Sequence, residues 1–108
     1  MAWLFLFAAG LLEIVWSYTM KLSAGFTRGT PTLITVLAML ASFGLLSISM
    51  KTLPLGTAYT VWTGIGAVGA FVVGVVVLGE PLTFARGLAA ALIVAGLALM
   101  KLTASPQG

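Results

Sequence analysis

The placement of the charged side chains constrains this chain more than any other feature. Residues 2–20 hold one charge, Glu13, while residues 29–50, 52–79 and 87–100 hold none. A helix rises 1.5 Å per residue, so crossing a hydrocarbon layer roughly 30 Å thick takes about 20 apolar residues. Four crossings use about 80 positions of such a chain, and the 108 residues leave only short links and tails beyond that. The last run has 14 residues and reaches spanning length when Arg86 and Lys101 snorkel from its ends. The expected fold is therefore an all-α integral membrane protein, one domain over residues 1–108, with helices at about 2–20, 31–50, 57–78 and 84–103.

Composition removes most other classes. Hydrophobic residues make up 61% and charged residues 6%, against roughly 45–50% and 25% in soluble domains. There is too little polar surface to cover a globule, so the remainder must face lipid. With no Cys and no His, disulfides, thiolate chemistry, zinc sites and His acid–base catalysis drop out. No metal or cofactor is expected, and one intramembrane acid without a nucleophile–base pair does not make an enzyme. The net charge is +3, but the five cations stand singly, as membrane anchors do, so no nucleic-acid face is expected. The opening segment lacks a basic n-region and reads as a retained helix, with Trp3 in the interfacial belt.

The prolines punctuate the links. Pro31, Pro54 and Pro81 fall at link positions or helix starts, and Pro106 falls in the tail. Thr30 is expected to cap the second helix with Pro31 at its first position, and Glu80 to serve as an acid at the start of the fourth. Across an even number of spans, Lys21, Arg28 and Arg86 share one side and Lys51 and Lys101 the other. That difference of one is a weak positive-inside signal, so insertion in both orientations is expected. Two copies can then meet antiparallel around an axis in the membrane plane.

Glu13 is the lone acid inside a span, about 3 Å from the middle of the first helix by residue rise. Hydrocarbon opposes a bare charge, so a carboxyl at that depth takes either a proton or a cation. The plainer alternative is a protonated Glu13 that bonds a neighbouring helix; Lys21 is two turns away, too far for a fixed partner. Gly10, Trp16 and Ser17 share its face, with Gly10 expected to clear space beside it. The third helix has a similar face of Tyr59, Trp62, Thr63 and Gly66, and the second offers Ser42 with Met39 one turn before. A cation held by a carboxylate between aromatic faces gains both charge pairing and cation–π attraction. Taken alone, each aromatic reads as packing and Ser42 as an interhelical hydrogen bond; only their combination with Glu13 points to a cation site. Gly64, Gly66, Gly69 and Gly74 weaken the third helix, where a bend is expected to switch access. Gly87, Ala91 and Ala95, with Gly96 adjacent, form a small-residue stripe suited to a dimer seam.

Several segments carry a family resemblance. They are Gly10-Leu11-Leu12-Glu13-Ile14-Val15-Trp16, the stretch from Lys21 to Arg28, the long run from Pro54 to Ala67, Gly79-Glu80-Pro81-Leu82-Thr83, and Leu92-Ile93-Val94-Ala95-Gly96-Leu97. Over nearly its whole length the chain resembles the small multidrug resistance transporters, and through Trp16, Met39, Ala67 and Lys101 their guanidinium-exporting subtype. The resemblance implies an antiparallel homodimer in the bacterial inner membrane, inserted in both orientations. It also implies antiport driven by the proton gradient, through a carboxylate that binds protons or substrate and is Glu13 by position. Trp16, Ser42, Tyr59 and Trp62 carry over as the pocket, while Gly10, Ser17, Met39, Thr60, Thr63 and Gly66 are expected to line or gate it. Gly29, Thr32 and Thr60 depart from the family pattern, and Ser17, Tyr18 and Thr19 make that end of the first helix more polar, which favours a wider substrate range. The alternatives are an exporter of quaternary ammonium or hydrophobic drug cations by the same mechanism, and a non-transporting membrane subunit with no use for Glu13.

Overall fold

The computed structural model describes residues 1–103, so the Pro106 position lies outside the described residues. These residues form four helices, α1 (Ala2–Leu22), α2 (Gly29–Ser49), α3 (Leu55–Val76) and α4 (Phe84–Leu102). Each has the length and apolar character to cross a membrane, which makes the chain a multi-pass membrane protein. α1 lies between α2 and α3, and the backbone of α4 approaches α3 alone. The result is a slab of 43 × 34 × 16 Å. Three interaxial steps of about 8–10 Å account for most of its width, so the helices stand in a row with both faces open.

Apolar side chains such as Leu11, Leu40, Val72 and Leu92 are exposed and suit a lipid surrounding. Interhelical packing in lipid relies on close approach, and small residues provide it. A Cβ on Gly10 would lie 2.7 Å from Ile65 Cγ2, one on Gly64 would lie 3.0 Å from Leu97 Cγ, and one on Gly69 would collide with Ile14. These glycines seat side chains of a facing helix, and α3 runs without a break through Gly64 and Gly69. Polar groups add a tie between α1 and α2. The Thr35 hydroxyl donates to the Pro31 carbonyl at 2.8 Å and meets the Thr19 hydroxyl at 2.6 Å, with Thr35 fully buried. A second tie joins the ends of α1 and α4, where Lys101 Nζ sits 4.7 Å from the Trp3 ring centroid.

α2 and α3 each start two residues before the sequence reading, at Gly29 and Leu55, and the capping of α2 and α4 differs from it. α2 begins at Gly29 with Arg28 as its N-cap, so Thr30 does not cap and Pro31 is the third helical residue. Any of the first three helical positions lacks an intrahelical partner for its N–H, and proline is tolerated there for the same reason as at the first. At α4, Thr83 is the N-cap and accepts from the Arg86 N–H at 3.2 Å, while the first turn contains no acid. Glu80 instead turns back over α3. Gly79, at φ +70°, reverses the chain after that helix, and the Glu80 N–H donates to the Gly74 carbonyl at 2.9 Å.

Candidate functional site

The site is set by the register of α1 against α3. With Gly10 under Ile65 and Ile14 over Gly69, the residue between them, Glu13, points at Gly66. A Cβ on Gly66 would lie 2.6 Å from Glu13 Cγ and closer still to its carboxyl carbon. Gly66 is thus the residue that clears space for the acid, and Gly10 clears space for Ile65. Glu13 Oε1 is buried and has no hydrogen-bond partner among the described residues. The buried Trp16 Nε1, one turn along the same face, also lacks one. An unpaired carboxyl oxygen inside a membrane span is costly, and it is an open coordination position for a proton or a cation.

Aromatic rings continue from this point across three helices. Trp16 meets Phe43 edge-on with centroids 6.3 Å apart, Phe43 meets Trp62 at 5.8 Å, and Trp62 meets Tyr59 at 5.5 Å. All three spacings fall in the range where aromatic pairs attract. Tyr59 is 52% exposed and Trp62 7%, so the Tyr59 ring is open while Trp62 is held from behind. The holder is Ser42. Its buried hydroxyl donates to the Ala9 carbonyl at 2.7 Å and accepts from Trp62 Nε1 at 3.0 Å, joining α1, α2 and α3 at one atom. With its proton and an acceptor position both engaged, Ser42 fixes the Trp62 ring in this conformation.

The other expected residues are dispersed. Met39 is half-buried one turn before Ser42. Thr60 and Thr63 line a groove of about 580 Å³ between α3 and α4, together with Tyr59, Ala67 and Leu97 but without Glu13. Ser17 donates to the Ile14 carbonyl at 2.9 Å and faces a separate cavity. Phe43, which bridges Trp16 and Trp62, is absent from the sequence reading. Its signal was present, since it is the sole aromatic in α2 and directly follows Ser42.

Comparison with known proteins identifies the family. The family model described as Small Multidrug Resistance protein matches residues 1–94. A guanidinium exporter of Salmonella typhimurium strain LT2 is 55% identical over 104 residues, covering 96% of this chain and 99% of that protein. A guanidinium exporter of Citrobacter freundii is 54% identical over 103 residues, covering 95% and 98%. One of Proteus vulgaris is 54% identical over 102 residues, covering 94% and 98%. Four apolar spans, a lone mid-span acid and near full-length similarity to these exporters place the chain in the small multidrug resistance family.

Proposed function

We propose that this protein exports guanidinium and related small guanidinyl cations across the bacterial inner membrane in exchange for protons, with Glu13 binding each in turn. The observation that carries this reading is the buried, unpartnered Oε1 of Glu13 in the Gly66 notch, one turn from the aromatic row that Trp16 begins. Guanidinium is planar, permanently charged and rich in N–H donors, so it meets a carboxylate through two parallel bonds and stacks on Trp or Tyr. A proton and a cation cannot occupy the same oxygens together. Loading one releases the other, and an inward proton gradient therefore drives the cation outward without any cofactor.

The working unit is an antiparallel homodimer. One chain forms an open slab, and α4 buries none of its residues within it. Its small-residue stripe is unfilled: a Cβ on Gly96 would meet nothing within 4 Å, and one on Gly87 only Leu82 Cδ1 at 3.9 Å. Two identical antiparallel chains also give inward-open and outward-open states of equal energy, as an exchanger needs.

The test is proton release from detergent-solubilised protein on adding guanidinium, with Glu13→Gln as control. Release by the wild type and none by the variant is expected; guanidinium exchange by the variant in proteoliposomes would leave the carboxylate without its role. The size of the groove at Tyr59, Thr60 and Thr63, about 580 Å³, favours a second reading in which alkylated cations are also carried. Competition between guanidinium and a tetraalkylammonium ion in the same liposomes separates the two.

A further inference from the structure

A second cavity, of about 370 Å³, opens at the end of the slab that carries Lys21, Glu80 and Arg86. Its lining runs along α3 from Ala67 to Gly74 and on to Leu78 just past the end of the helix; the helical part alone rises about 10 Å, a third of the hydrocarbon thickness. The inner end lies at the level of Glu13. Ser17, one turn beyond Glu13 on α1, lines the cavity, and so does Ala67, the neighbour of the Gly66 notch. The outer end is charged: Lys21 and Arg86 bring two positive charges and Glu80 one negative, and among the described residues none of them forms an ion pair.

Those two cations alone would lower the local concentration of any positively charged guest. Glu80 offsets them, and its position is built into the fold. Its N–H is tied to the Gly74 carbonyl at 2.9 Å. A Cβ on Gly74 would come within 2.9 Å of the Glu80 carboxyl carbon and 3.4 Å of Oε2. The carboxyl therefore rests in a glycine notch on α3, at the mouth of the cavity, much as Glu13 rests against Gly66 at its inner end.

We propose that this cavity is the mouth through which an organic cation passes between the aqueous face and Glu13, and that Glu80 is the residue that admits cations past Lys21 and Arg86. The inference rests on the export function proposed above. It gives Glu80 a part in recruitment and none in the exchange at Glu13, so its removal alters apparent affinity and leaves the saturated rate in place.

The test measures guanidinium uptake into proteoliposomes at low ionic strength over a range of concentrations. A unit charge several ångströms from the path, partly screened by water, changes the local cation concentration by about three- to fivefold. Glu80→Gln is expected to raise KM by about that factor with an unchanged maximal rate, and Arg86→Gln to lower it by about as much. Both shifts should shrink towards the wild-type value near 1 M salt, where the Debye length is about 3 Å. Gly74→Ala, which keeps every charge but displaces the carboxyl, should raise KM in the same direction as Glu80→Gln. An unmoved KM in Glu80→Gln, shifts of the same sign in the two charge variants, or shifts that survive high salt would overturn the mouth. A wild-type protein that carries no guanidinium would instead refute the export function itself.

Discussion

Two glycines decide where the two acids of this protein sit, and the consequences can be measured at each. Gly66→Ala puts a methyl group 2.6 Å from Glu13 Cγ, so the acid must leave its rotamer. An off-rotamer side chain costs about 0.5–1.5 kcal/mol, which corresponds to guanidinium binding weakened by about two- to tenfold in calorimetry. The proposed competition at Glu13 fixes the sign of the pH dependence. Below the titration point of the carboxyl, each unit fall in pH should raise the apparent Kd for guanidinium about tenfold, and above it the Kd should be flat. A Kd independent of pH across the whole range of stable protein would remove shared occupancy. Ser42→Ala leaves the buried Trp62 Nε1 without its acceptor, a loss of about 1–3 kcal/mol in thermal unfolding, accompanied by a shift in tryptophan emission as the ring loosens. Glu13 was legible in the sequence because one acid stands out in an apolar span, and Trp16, Tyr59 and Trp62 because each has a polar tip. The Gly66 notch was not, because it depends on the register of α1 against α3, which no spacing within a single helix encodes. Phe43 escaped for a different reason: although it is the lone aromatic of α2, it has no polar tip to set it apart from a packing residue.

The helices themselves were legible because charge is so costly in hydrocarbon that its absence over some twenty residues marks a span. Their ends were less so. A proline fits any of the first three helical positions, so Pro31 left the start of α2 open to within two residues, and Glu80 could be read as a first-turn acid until Gly79 was seen to turn it back onto α3. The glycines of α3 serve as seats for side chains of the facing helices, whereas Gly87 and Gly96 of α4 meet almost nothing. That contrast predicts opposite behaviour for two substitutions. Gly64→Ala places a Cβ 3.0 Å from Leu97 Cγ, in the contact that holds α4 to α3. Overpacking there should lower the melting temperature through a loss of about 1–3 kcal/mol. Gly87→Leu meets only Leu82 Cδ1, at 3.9 Å, and should leave the fold of a single chain as it is. If the α4 stripe is the dimer seam, Gly87→Leu should nevertheless lower the dimer fraction in light scattering, with unchanged helicity by circular dichroism.

One chain presents a row of four helices only 16 Å deep, with Glu13 packed against α3, so under the proposed exchange the enclosure of the site falls to a second copy. Whether that copy is inverted depends on very few charges. Lys21, Arg28 and Arg86 oppose Lys51 and Lys101, and a bias this small leaves the orientation nearly undecided. Replacing Lys51 and Lys101 by Gln leaves three cations against none and should lock the chain in one orientation. The combination K21Q, R28Q and T52K leaves one against three and should lock it in the other. Each locked form alone makes only parallel pairs, so cells expressing either should lose guanidinium resistance, and cells expressing both should regain most of it. Cysteine labelling of a loop from each side of the membrane checks the orientations directly. Full resistance from one locked form, with its label accessible from a single side, would mean that parallel chains suffice, and the symmetry argument for exchange would have to be abandoned.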